Sequence, residues 1–470
     1  MPTPARRLAR PAAAIAALSL LCLGALTATP AAAQPKGRLR VACDRLDRIG
    51  ELTELAGAVP GGAVPGGAAA GGAAVAAWRG RIAAIGADPA APIGISMGPE
   101  GLTVRYRRLP DAPPATSLLP DADRPWGGDA RLRRRASSED EELVSEDADG
   151  NVVISKLRVG ASPSADLDAI APGCSLDLDA ELLPPLARLG FRSLSLQLDP
   201  APGGTSTLRA VRSVPIEPPP PPQAYPAVIG DQQAIVVVQL GMDLAELRAA
   251  IERLPELPGR AGAVVDGADR LPDAALQDWG AGTTFALMLD PVIGPNFAMY
   301  APLGAPGEQG SRGARRKAGR ALRQLSRAAA KEQDGPRFER IDRFTLALQQ
   351  PEPIRSFTIQ VGEDGAAVAN LPATAAALLA RSGAPWLSDE EQAWAGAHHI
   401  SVVSHGMEGP VASRPFRAGL RIEAEALVFD LWTTDGVFSP RPPVDPAAEG
   451  PLRGLLQKVK EAPPSPSPAG

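Results

Sequence analysis

The chain has 470 residues, 44% of them apolar and only 4% aromatic, with 51 Pro, 48 Gly and a formal net charge of −5. That length accommodates two or three domains, and the weak acidity gives no overall electrostatic basis for binding nucleic acid. The bias toward Ala, Gly and Pro predicts cores of small aliphatic side chains joined by many turns.

Residues 1–33 read as a signal peptide. Arg6, Arg7 and Arg10 precede an apolar run from Ala12 to Leu26, and Ala31-Ala32-Ala33 supplies a small-residue cleavage site. The run is shorter than the roughly 20 residues a membrane-spanning helix needs. The expectation is therefore a periplasmic or secreted protein and not an integral membrane protein. Cleavage leaves Cys43 and Cys174, a candidate disulfide in an oxidising compartment, the other reading being two buried thiols.

Residues 34–75 are expected to hold an amphipathic helix over 43–56, carried by Leu46, Ile49, Leu52 and Leu55, and then a Gly/Ala/Pro linker that repeats Ala-Val-Pro-Gly-Gly. A first domain is placed at 76–214. It contains a β-hairpin with strands Ile93 to Met97 and Leu102 to Arg107, turning at Gly98-Pro99-Glu100-Gly101. Residues 108–151 are Pro-rich and then charged, and read as a surface loop, with strands Val152 to Val159 and Arg192 to Leu198 beyond and a helix near Ala180 to Leu189.

The five prolines Pro218 to Pro222 mark a polyproline linker over 215–226. The second domain, 227–437, opens on the apolar strand Ile235 to Val238. A helix over 243–254 capped by Asp243 and the run Ala263-Val264-Val265 follow, as in a β-α-β unit. Further strands are expected at Thr284 to Leu289, Phe344 to Leu348, Phe357 to Val361 and Ile400 to Val403. Ser388 with Glu391 forms a capping-box pattern. Leu420 to Trp432 reads as one strand whose apolar phase flips near Leu427, through a bulge or burial on both faces. A Pro-rich tail, 438–470, reads as disordered. The fold class expected is α+β, two domains of mostly antiparallel sheet with packed helices and a Pro-rich linker between them. Leu-Asp-Pro at 198–200 and again at 289–291 hints at a duplication.

Three constellations bear on chemistry. Gly94-Ile95-Ser96-Met97-Gly98 matches the Gly-x-Ser-x-Gly pattern of serine hydrolases, but a strand follows where the nucleophile elbow needs a helix, so Ser96 is a weak catalytic candidate. His398, His399 and His405 cluster near one strand, too far apart along it to share a metal without a turn. Arg312, Arg316, Arg320, Arg323 and Arg327 recur every three or four residues opposite Ala318, Leu322, Leu325 and Ala329, a basic helical stripe able to meet an anionic surface. No Walker A loop, dinucleotide fingerprint, Cys-x-x-Cys pair or His-Glu-x-x-His helix occurs, so no metal and no cofactor are expected. The reading is an exported cell-envelope protein with a non-enzymatic binding or structural role, its partner an envelope protein or anionic surface. The alternatives are a secreted serine hydrolase using Ser96 and an anionic-surface module using the stripe at 312–331.

Overall fold

A computed structural model describes residues 37–48, 85–115, 124–125, 131–135, 140–162, 170, 172–182, 187, 190–222, 227–243, 282–290, 294–303, 338–348, 356–406 and 414–436, with helical residues between 313 and 323. The leader, the helix expected over 243–254 beyond Asp243, the strand at 263–265, Arg312, Arg327 and the tail lie outside them. Two compact units emerge. The first takes the residues up to Pro218 together with Ile422–Asp430 and Asp435–Phe438, and the second takes Pro219–Arg421 with Leu431–Thr434.

The first unit is an antiparallel sheet of β1 (Leu39–Cys43), β2 (Ile93–Gly98), β3 (Gly101–Arg107), β4 (Arg124–Pro125), β5 (Arg131–Arg135), β6 (Asp140–Glu146), β7 (Asn151–Arg158), β8 (Cys174–Asp179), β9 (Phe191–Leu198) and β10 (Thr205–Arg212). Its order is β4-β5-β6-β7-β3-β2-β1-β8-β9-β10. Alternation makes the core. Val41 lies opposite Ile95 and Leu176, and Leu176 opposite Leu196, so the apolar residues of four strands fall on one face. The two-residue turn between β2 and β3 needs Gly101, whose φ is +132° and whose absent Cβ would stand 2.1 Å from the Lys156 carbonyl oxygen.

The second unit comprises β11 (Ile229–Gly230), β12 (Ala234–Leu240), β13 (Thr284–Asp290), β14 (Gly294–Pro302), β15 (Phe338–Arg340), β16 (Thr345–Leu348), β17 (Phe357–Val361), β18 (Gly365–Ala369), helix α1 (Pro372–Ala380), β19 (Ala384–Pro385), helix α2 (Asp389–Gly396), β20 (Ile400–Ser404) and β21 (Phe416–Ile422), with β22 (Ala426–Thr433) divided between the units. Its main sheet runs β15-β16-β17-β18-β14-β13-β12-β20-β21, again antiparallel throughout. This sheet is buried on both faces near β18. Ala367 and Ala369 pack with Ala375 and Leu378 of α1, whereas Ala366 and Val368 pack with Ala318 and Leu322.

These observations correct the expected fold class. Among the described residues, strands dominate and helices are few: α1, α2, a 3-10 turn at Ala180–Leu182, the turns between 313 and 323, and single helical residues at Asp47, Arg48 and Ala187. The molecule is mostly antiparallel β, not α+β. Two local readings change for identifiable reasons. The stretch within 108–151 contains β4, β5 and β6, whose register sets Pro125 opposite Leu132, Leu132 opposite Val144 and Arg134 opposite Glu142, where composition alone reads a solvated loop. The phase flip near Leu427 is a chain reversal. Glu423 N–H donates to the Ala426 carbonyl (2.8 Å), and Glu423-Ala424-Glu425 joins β21 to β22 without the Gly, Pro or Asn that usually announces a turn.

Candidate functional site

Among the described residues, the buried polar side chains Gln239, His398, His399, Ser401 and Ser404 lie in the second unit, on β12, on β20 and between α2 and β20. Ser388 caps α2: its hydroxyl accepts from Glu391 N–H (3.3 Å), and the Glu391 carboxylate accepts from Ser388 N–H (2.9 Å) and Oγ–H (3.0 Å). The chain then passes Trp394 to His398 and His399 and enters β20, and His405 follows the strand.

Each imidazole is engaged by a backbone carbonyl. His398 Nδ1 is 2.8 Å from Trp394 O, and its ring lies 4.3 Å from the Trp394 ring. His399 Nε2 is 3.1 Å from Pro220 O, fastening the polyproline segment beside β20. His405 Nδ1 is 2.7 Å from Ala234 O and Nε2 is 3.4 Å from Glu391 Oε2, so both ring nitrogens face acceptors. Next to them Gln239, 2% exposed on β12, accepts from Gln392 Nε2 (3.3 Å), while its own Nε2 finds no partner among the described residues. Thr284, Gln239, Ser401 and Gly419 stand in one cross-strand row. Sequence reasoning missed Gln239, although a lone Gln inside Ile-Val-Val-Val-Gln-Leu is a visible signal.

Electrostatics follow from this burial. Burial is the largest influence on His399 and depresses its pKa, aided by the charges of His398 and Arg421 against an opposing hydrogen bond to Pro220. Burial raises the Glu391 carboxyl, but the Ser388 hydrogen bonds and His405 prevail and hold it below its ordinary value. Both shifts mean that the unfolded chain binds more protons, so stability rises with pH. The His399 contribution is complete above its ordinary value of 6.5 and declines as pH falls from there toward the depressed folded value. The Glu391 contribution is complete above 4.5 and is lost as pH falls through its folded value. Urea midpoints between pH 7.5 and 5 should therefore fall on acidification, and His399→Gln, which keeps a donor for Pro220, should flatten that slope. An unchanged slope in the variant rejects the assignment.

Chemically the cluster is a cap and not a triad. Ser388 Oγ and His405 Nε2 converge on the same carboxylate oxygen, Oε2 of Glu391, so the acid stands between them, whereas nucleophile activation needs the imidazole in the middle. Among the described residues no three His, Cys, Asp or Glu side chains are grouped to hold a metal ion. A cavity of about 10 Å³ lined by Val228, Tyr300, Leu378 and Arg381 has room for about one water and is far below the roughly 300–1,000 Å³ of ligand pockets.

The other sequence candidates lie elsewhere. Ser96 is inside β2, opposite Arg40 and Thr103 on the face away from the core, in a polar row continued by Asp177 and Ser195. Asp177 accepts from Ser195 Oγ (2.7 Å) and lies 3.8 Å from Arg40. The chain passes from Ser96 through the β2–β3 turn into another strand. Ser96 belongs to the first unit and the three histidines to the second. Of the basic stripe, Arg316 and Arg320 are exposed, Arg323 donates to Gly319 O (3.4 Å), and Ala318 and Leu322 are buried. Arg315 lies over the Phe344 ring at 4.4 Å and 3.6 Å from Glu363. Cys43 and Cys174 form a disulfide across directly opposed positions of β1 and β8. No helix among the described residues is long and apolar enough to cross a membrane. Comparison with protein-family models, curated proteins and solved structures finds no match.

Proposed function

We propose that this chain is an exported component of the cell envelope, periplasmic or secreted, with a binding or structural role in place of catalysis. The observation that carries the reading is the Cys43–Cys174 disulfide, buried in the first unit's core, which fits an oxidising compartment. The leader-like residues 1–33 agree with it. Each of the three imidazoles has a hydrogen bond to a backbone carbonyl, and His405 also one to Glu391, which fits a structural use of these rings. Fractionation of a tagged full-length chain, with thiols alkylated before any reduction, tests the proposal. Protein in the envelope or medium with both cysteines protected supports it; a cytoplasmic pool with both alkylated overturns it. Serine-directed labelling that disappears in Ser96→Ala would instead establish the hydrolase.

The exposure of Arg316 and Arg320 above a buried Ala318 and Leu322 favours one partner class, an anionic surface. Cosedimentation with phosphatidylglycerol vesicles should weaken several-fold in R316E/R320E and in high salt. Binding that ignores both changes rejects the stripe as the contact.

A further inference from the structure

We infer that the chain is a tandem duplication of a single antiparallel unit, β1 to β10 corresponding to β12 to β18 and β20 to β22. Nine strands of each unit follow one order: β4-β5-β6-β7-β3-β2-β1-β8-β9 in the first and β15-β16-β17-β18-β14-β13-β12-β20-β21 in the second. In chain order a short connection then leads from β9 into β10 and from β21 into β22, the strand divided between the units. Hairpins between consecutive strands recur in unrelated sheets because short connections make them inexpensive in entropy. The two long-range closures are more diagnostic. β3 returns to pair with β7 as β14 does with β18, and β1 takes β8 as its second neighbour as β12 takes β20.

Smaller features coincide at these closures. Just past the opening strand, Asp44 N–H donates to Gly173 O (2.9 Å) and Gly241 N–H to His399 O (2.8 Å). Just past the third strand, Arg108 N–H donates to Gly150 O (2.8 Å) and Leu303 N–H to Asp364 O (3.1 Å). Gly150 and Asp364 each stand directly before the strand that returns, β7 and β18. The Leu-Asp-Pro repeats do not correspond, since one follows β9 and the other closes β13, whose counterpart is β2. The signal of duplication is in the pairing, not in that tripeptide.

The correspondence locates where the copies diverged. Cys43 and Cys174 are the final opposed pair of β1 and β8, and the same place on β12 and β20 is held by Leu240 and Ile400. The connection β18 to β20 carries α1, β19 and α2, whereas its counterpart at 159–173 is much shorter. The cluster of Glu391, Gln392 and His398 thus belongs to an elaboration of one copy, where a function private to the second unit would reside.

Engineered cysteines test the equivalence in the full chain. Leu240→Cys with Ile400→Cys should form a second bridge on air oxidation, seen by non-reducing peptide mapping, while Leu240→Cys with Ser401→Cys, one residue out of phase, should not. The native Cys43–Cys174 link is the internal control for folding. Absence of the 240–400 link in protein that retains the native one overturns the inference. So does an experimental structure in which the second unit's strands follow another order.

Discussion

Removing the disulfide with Cys43→Ala and Cys174→Ala together is expected to lower the unfolding free energy of the first unit by about 2–5 kcal/mol. The bridge spans 131 residues, and the chain-entropy relation gives about 5 kcal/mol for a loop of that length, an upper value because a compact unfolded ensemble has less freedom to regain. Both sulfurs are also core atoms: Cys43 is fully buried and Cys174 is 2% exposed, packed among Leu39, Ile93, Leu176 and Leu198. Their loss therefore adds a packing defect to the entropic effect. Hydrogen exchange in β1, β2 and β8 reports this locally, and exchange there should accelerate by at least an order of magnitude in the variant. Protection that stays unchanged would mean that the β1–β8 ladder holds without its link. Urea unfolding should also steepen, since an unbridged chain exposes more surface when it unfolds.

How much of this could be read along the chain depends on the range of each signal. The hairpin of β2 and β3 was legible because alternation and its turn lie within fifteen residues, and the capping box of α2 because Ser388 and Glu391 are three apart. Parity of two cysteines made the disulfide a candidate, and only the pairing of β1 with β8 joins them. β5 and β6 escaped because their pairing is a matter of register, Leu132 opposite Val144 and Arg134 opposite Glu142, whereas in linear order the stretch is a run of Arg followed by a run of acids. The partners of the histidines were out of reach for a similar reason. Pro220, 179 residues from His399, offers a carbonyl, a group every residue has and no sequence pattern marks. Strand order leaves no periodicity at all, so the recurrence of one topology in both units appears only once the ladders are drawn.

The second large effect is expected at Gly419, where the candidate site rests on the absence of a side chain. A Cβ there would lie 2.3 Å from Cδ2, 2.5 Å from Cγ and 2.7 Å from Nε2 of His398, well inside contact distance. The ring has little freedom to withdraw. It is 4% exposed, its Nδ1 lies 2.8 Å from the Trp394 carbonyl oxygen, and the tilted Trp394 ring is centred 4.3 Å from it. Gly419→Ala must therefore displace β21 or expel the imidazole, and overpacking of this kind costs about 1–3 kcal/mol, with a broken buried hydrogen bond adding roughly 1 kcal/mol. A double-mutant cycle separates this clash from any intrinsic preference for glycine. In a His398→Ala background the same Gly419→Ala change should cost less than about 1 kcal/mol, because the methyl group then enters vacated space. Urea unfolding followed through tryptophan fluorescence reads both arms, since Trp386, Trp394 and Trp432 all lie in the second unit. Equal costs in the two backgrounds would place the constraint in the backbone of β21. A cost confined to the wild-type background would show that Gly419 is small so that His398 can be buried against the sheet.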